Sequence, residues 1–344
     1  MKGSFTLKGL GRLAPAFALI VALCATTKAQ AQPLITCNQA GLADTGGIVG
    51  GIPVGPTMIT TYDFSTGATV GSFIPTGAFP DGNGRGVQVL GNNIYYTELN
   101  FTLPSLFGPT SSIEIAPYNG GAGGADTRTI PNPRPTTGIQ DLAYFNGVLY
   151  ILTGYPFDSP EVFGLNPFNG AVVIGPISIS PPAAQDSDGF SVLPNGNFLI
   201  NEGDGSTMYD QYDPTTGAVI PSTQITVPGA FQSTGVENDG TSLFFQEQSD
   251  ASTLNDGFTE TTLAGAFIAN QLVSPPPNNC EDISLPVSAC FGVTGVKPGK
   301  PNCHGKCVSF LANADGGIKK ASRNLGYASV DDLQDAIKAF CAKP

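Results

Sequence analysis

The chain of 344 residues carries 27 acidic and 15 basic side chains, a formal net charge of −12, with 44 glycines, 29 prolines, no tryptophan and a single histidine, His304. Hydrophobic residues make up 41% of it and charged residues 12%, a low charge content that suits an exposed, protease-resistant protein. The lone histidine excludes a Ser-His-Asp triad or a multi-histidine metal centre anywhere upstream of it.

Residues 1–31 read as an export signal. Lys2, Lys8 and Arg12 form a positive segment, Ala14 to Leu23 an apolar one, and Ala29-Gln30-Ala31 a small-x-small cleavage pattern before Gln32. The apolar run is shorter than the ~20 residues a membrane-spanning helix needs. A secreted or periplasmic product without a membrane span is therefore expected. The competing reading, a lipoprotein acylated at Cys24, is disfavoured by the bulky Leu23 beside it.

Removal of the signal leaves Cys37, Cys280, Cys290, Cys303, Cys307 and Cys341, an even set that favours disulfides in an exported chain. Cys37 and Cys280 bracket the central region, so a bridge between them would staple the first strand of a closed ring to the last. Cys280–Cys290 is the local alternative.

Between these two cysteines one phrase recurs: an apolar stretch, a polar turn ending in glycine, then a second apolar stretch. The marker glycines are Gly67, Gly120, Gly170, Gly217 and Gly265, spaced 53, 50, 47 and 48 residues apart. A strand-rich period of roughly 40–50 residues is that of β-propeller blades, each of which needs a neighbour to cover its apolar face. A second phrase alternates with the first. Residues 86–99, 138–152, 189–203 and 235–248 each read as strand, tight Gly/Asn turn, strand. A degenerate first copy is placed at 44–59. The expected fold is all-β, a propeller of five blades, with six or seven also compatible.

Charge divides the chain independently. From Gln32 to Cys280 there are 21 acids against Arg85, Arg128 and Arg134, whereas from Glu281 to Pro344 there are six acids and eight bases. The expected organisation is a propeller over 32–280, a linker over 281–301 and a small module over 302–344, with Pro275-Pro276-Pro277 and the VKPGKPN stretch as linker signals. An acidic, lysine-free propeller is a poor partner for nucleic acid or anionic lipid. Cations, neutral glycans or a basic partner remain compatible, and solubility alone also accounts for the acids.

The turns Leu193-Pro194-Asn195-Gly196-Asn197 and Tyr212-Asp213-Pro214-Thr215-Thr216-Gly217 resemble those of bacterial secreted propellers of many activities. The Gly-His and Trp-Asp marks of WD40 blades are missing. The tail, Asn302-Cys303-His304-Gly305-Lys306-Cys307 through Leu325-Gly326-Tyr327 to Phe340-Cys341, resembles a short module at the C-termini of exported bacterial proteins. From its residues it reads as a helical hairpin: Ser329 and Asp332 make a capping-box-like start, and Val330, Leu333, Ile337 and Phe340 fall on one face. Cys303 or Cys307 is expected to reach Cys341 and the other to take Cys290, because a module this small cannot bury much core. A zinc site from Cys303, His304, Cys307 and Cys341 is the chemical alternative.

Without histidine, propeller chemistry is left to carboxylate and amide oxygens. Asp141, Asp186, Asp188, Glu237, Asn238 and Asp239 lie near the starts of inner strands, where they would face a central channel. Asp141, Asp188, Glu237 and Asn238 are the candidate Ca²⁺ ligands, since that ion takes about six to eight oxygens. The arrangement resembles calcium-dependent lactonase propellers. Asn201, Glu202 and Asp204 form a second acidic cluster. For both, turn capping is the structural alternative. Two functions follow as expectations. The first is a monomeric binding or scaffold propeller without catalytic residues, recognising a glycan, peptide or surface partner through its blade loops. The second is a Ca²⁺-dependent lactonase or esterase.

Overall fold

The structure is a computed structural model and describes residues 34–39, 48–49, 52–53, 55–79, 82–100, 111–155, 158–203, 206–230, 232–247, 257–273 and 280–343. The signal segment, Cys24, Asp204 and the proline run at 275–277 lie outside these residues. Residues 33–344 form one compact unit.

Five four-stranded antiparallel sheets make the five blades of a β-propeller. From the axis outward, blade 2 is Gly82–Leu90, Asn93–Asn100, Ile113–Pro117 and Arg128–Ile130. Blade 3 is Gly138–Phe145, Val148–Tyr155, Glu161–Leu165 and Val172–Ser178. Blade 4 is Phe190–Val192, Phe198–Asn201, Met208–Tyr212 and Ile225–Thr226, and blade 5 is Val236–Asn238, Ser242–Glu247, Gly257–Thr262 and Phe267–Leu272. The five marker glycines all hold φ between 68° and 83°, the left-handed region that favours glycine at a tight turn. Asp63, Asn166 and Asp213 open three of these turns by accepting amides two or three residues on.

Blade 1 is built from both ends of the described chain. Its order is Cys280–Ser284, Leu34–Gln39, Met58–Asp63 and Thr69–Phe73, so the innermost strand is the last one in sequence. The first repeat is therefore not a hairpin within 44–59. Of that stretch, Ile48–Val49 pairs with Ile52–Pro53 in a separate two-stranded ribbon, and Met58 and Ile59 begin the third strand of blade 1. The seam is the register Thr36 to Ser284, Cys37 to Ile283 and Asn38 to Asp282. Cys37 is disulfide-bonded to Cys280 across it, with Cα atoms 5.7 Å apart.

Apolar residues fill the space between adjacent blades. Tyr150, Leu152 and Val162 of blade 3 pack with Phe190, Phe198 and Tyr212 of blade 4, and Ile35 and Tyr62 of blade 1 with Phe244 and Phe258 of blade 5. Each fully buried side chain of this size contributes about 1.5–3 kcal/mol. Blades thus bury in pairs what none can bury alone.

Past Ser284 the chain does not become a free linker. Val287 exchanges amide bonds with Val89 and Gly91, Tyr144 donates to the Ala289 carbonyl at 2.6 Å, and Asn146 N–H donates to Phe291. The tail carries three helices rather than a hairpin of two: α1 (Cys303–Ala314), α2 (Ile318–Asn324) and α3 (Val330–Cys341). Cys303–Cys341 joins α1 to α3, and Cys290–Cys307 joins α1 to the segment beneath the blades. Leu311, Ala321, Leu325, Leu333 and Ile337 share one core with Leu90, Tyr95, Leu149 and Ile151 of blades 2 and 3. The module is a floor laid under the inner hairpins of blades 2 and 3.

Candidate functional site

Three layers of side chains from the inner strands and the residues beside them meet along the axis. Gly86, Gly189 and Gly235 let neighbouring strands converge. A Cβ on Gly86 would lie 2.9 Å from the Asp141 backbone, and one on Gly235 would lie 2.8 Å from Asp282 Cα. Larger residues there would hold the blades apart.

In the upper layer, Arg85 Nη1 lies 3.1 Å from Asp188 Oδ1 and 3.3 Å from Glu281 Oε2. Its guanidinium carbon sits 4.8 Å from the centre of the Tyr155 ring. The three charged side chains are 7%, 7% and 12% exposed. Blades 1, 2, 3 and 4 therefore meet at one buried cation.

In the middle layer, Asp141 and Asp282 face each other at hydrogen-bonding distance, both fully buried. Asp141 accepts the amides of Leu142 and of Phe190, the latter in blade 4, each at 2.5 Å. Asp282 accepts the amides of Ile283 and of Val87, the latter in blade 2, each at 2.6 Å. The register irregularity between Ile139 and Asp141 belongs to this placement. Burial raises both carboxyls well above the usual carboxylate range.

In the lower layer, Glu237 accepts the Asn238 amide at 2.8 Å and the Ser191 hydroxyl at 3.2 Å, and also bonds Gln88. Burial pushes its carboxyl up to about 8 against these donors. Gln88 donates to Ser284 Oγ at 3.0 Å, and Asn238 Nδ2 donates to Ser191 Oγ and the Val192 carbonyl at 3.0 and 2.9 Å.

The four candidate Ca²⁺ ligands thus belong to three layers. Asp188 serves Arg85, Asp141 serves Asp282 and blade 4, and Glu237 and Asn238 serve blades 2 and 4. Among the described residues, no three His, Cys, Asp or Glu side chains form a group able to hold a metal ion. Asp186 is half-buried, and Asp239 caps its own turn through the amides of Thr241 and Ser242. Asn201 accepts Gly203 N–H, and Glu202 is raised by burial first and by its hydrogen bond to Asp210 second. In the tail, Cys303, Cys307 and Cys341 are all crosslinked, leaving none of the zinc set as a thiolate.

Arg85, Glu281 and Asp282 carry the axis and were not among the candidates. Arg85 and Asp188 each directly precede a repeat glycine, a shared offset that could have paired them. Glu281 and Asp282 lay hidden in the segment assigned to a linker.

On the lower face an open cleft of about 650 Å³ runs between blade 2, the residues after the seam and the module. Asn92, Pro117, Asn119, Ala122, Pro286 and Gly326 line it, and no charged side chain does.

No protein-family model and no curated protein matches the sequence. Among solved structures, the chain is similar to a Bacteroides caccae protein of unknown function, at 11% identity over 74% of this chain and 98% of that one, with a TM-score of 0.44. It is also similar to the PQQ-bound aldose sugar dehydrogenase of Streptomyces coelicolor, at 15% identity over 76% and 93%, with a TM-score of 0.40. TolB of Acinetobacter baumannii is similar at 9% identity over 74% and 66%, with a TM-score of 0.41.

Proposed function

We propose that the protein is an exported binding propeller that recognises an uncharged glycan or peptide and catalyses no reaction. One observation carries this reading: along the axis, each charged side chain is engaged by another group of the protein. A reactive centre needs groups aimed at open space, and these are aimed at one another. The lower cleft supplies what the axis lacks, an accessible concave surface with amides, backbone groups and proline rings and no charge. Three disulfides, with no described helix long and apolar enough to cross a membrane, fit an extracellular or periplasmic setting.

The test is a glycan and peptide array probed with the mature, oxidised chain, alongside melting curves in calcium and in chelator. Saturable binding that Ala122→Arg abolishes at unchanged melting temperature is the expected result. A calcium-dependent rise in melting temperature together with turnover of lactones or esters would overturn it, because a ligand of the native state stabilises it by mass action.

A further inference from the structure

The middle layer does more than fill space. Asp282 lies on the strand that closes the ring, Cys280–Ser284, and Asp141 on the inner strand of blade 3. Each carboxyl also accepts the amide of the blade next to it, Val87 of blade 2 and Phe190 of blade 4. One pair of acids therefore ties four blades together. Two carboxylates at this separation repel and would leave a buried double charge, whereas a carboxylic acid beside a carboxylate makes a strong charge-assisted hydrogen bond.

We propose that Asp141 and Asp282 form a proton-dependent clasp, in which one retained proton joins the closing strand to blade 3 and whose loss at higher pH loosens the ring at its seam.

The surroundings oppose loss of that proton. Above the pair, the Arg85 cation is already held by Asp188 and Glu281. From blade 5, Glu237 adds negative charge toward Asp282, with Asp239 behind it, and burial raises Glu237 as well. From blade 4, Tyr209 is kept neutral by burial and shares a hydrogen bond with Ser233 at 2.8 Å. From blade 3, Tyr144 is likewise held neutral, and Tyr155 is stacked on Arg85. The adjoining strand Leu34–Gln39 brings no titratable group, its Cys37 being in the disulfide.

The sign follows from linkage. Both folded values lie above the unfolded one, so the stabilisation is complete below about pH 4, the ordinary Asp value, and is lost as pH rises through the folded values. The protein should be most firmly closed in acidic media and weaken toward alkaline pH.

The test compares melting temperature against pH for the mature oxidised chain and for Asp141→Asn and Asp282→Asn. An amide supplies a permanent N–H donor across the pair but gives up one of the two backbone amides the carboxyl accepts, so either variant should start from a lower melting temperature and show a flatter alkaline decline than the wild type. Equal declines in all three chains would overturn the clasp. Should either variant fail to fold, proton release on unfolding decides the matter. Glu98 in blade 2 is also buried, which raises its carboxyl to about 7, so at pH 7 the Glu98→Gln, Glu237→Gln chain, stripped of the other raised acids on the inner hairpins, should still release about one proton. Release of none would overturn the proposal.

Discussion

The two ends of the propeller are held by opposite chemistry. At the upper end one guanidinium is shared between two carboxylates drawn from distant parts of the chain. At the lower end Leu311, Leu325, Leu333 and Ile337 of the module continue the core of blades 2 and 3. The apolar seal tolerates salt and pH, and it weakens in proportion to the surface removed. The charged seal gains little over an apolar filling of equal shape, but it fails sharply when one partner is lost. A closed ring therefore has one end that can be worn down and one that can be broken.

The largest effect belongs to the seam on which both ends depend. Cys37 and Cys280 close a loop across a sequence separation of 243 residues. On the chain-entropy model, opening it costs about 5 kcal/mol. Denaturant unfolding of the Cys37→Ala, Cys280→Ala chain should show that loss, and a shift below about 1 kcal/mol would place the strength of the seam in strand pairing instead. Next comes Arg85→Met. The substitution removes the cation that the buried Asp188 and Glu281 share, and about 4 kcal/mol should go at neutral pH. Melting curves of this variant should recover part of the loss on acidification, as the two acids protonate. A pH-independent loss would mean that the Arg85 contribution is packing against Tyr155 and not charge.

Leu311→Ala probes the apolar end. Leu311 of α1 is fully buried in the core shared with blades 2 and 3, and its truncation should cost about 3 kcal/mol. Unlike Arg85→Met, the cost should not vary with pH between about 5 and 8. A cut meant to remove the whole floor has to fall after Leu285, because one at 277 would also delete the strand that closes the ring. Fluorescence of an apolar dye should then report the exposed lower faces of blades 2 and 3.

What could be read ahead of the structure was local. The marker glycines, the Asp63 and Asp213 turns and the four inner hairpins each declare themselves within a dozen residues, because turn geometry is a property of adjacent backbone. Blade 1 escaped because its inner strand pair draws on opposite ends of the region, and no window contains both. The axis escaped for the same reason. Arg85 meets partners 103 and 196 positions away, and only ring closure makes them neighbours. The pairing of Cys37 with Cys280 could be anticipated, since a ring by its nature brings its ends together. The function of Asp141 could not, because a lone carboxylate reads equally as turn cap, metal ligand or half of a dyad until its partner is known.

The smallest effect sharpens the contrast between local and distant information. Ser329 Oγ accepts the Asp332 amide at 3.1 Å and donates to the Asp332 carboxylate at 2.8 Å, so the start of α3 is held by four consecutive residues. Asp331 and Asp332 in the first turn and Lys338 in the last also suit the helix dipole. Ser329→Ala should cost about 1 kcal/mol, the usual value of an N-cap. Because Cys341 anchors the far end of α3 to α1, fraying should be confined to the first turn, with faster amide exchange at 330–333 and unchanged exchange at 337–341. Faster exchange along the whole helix would mean that the crosslink does not isolate the two ends, and that the cap, not the disulfide and the Leu333 and Ile337 contacts, holds the outer helix of the floor in place.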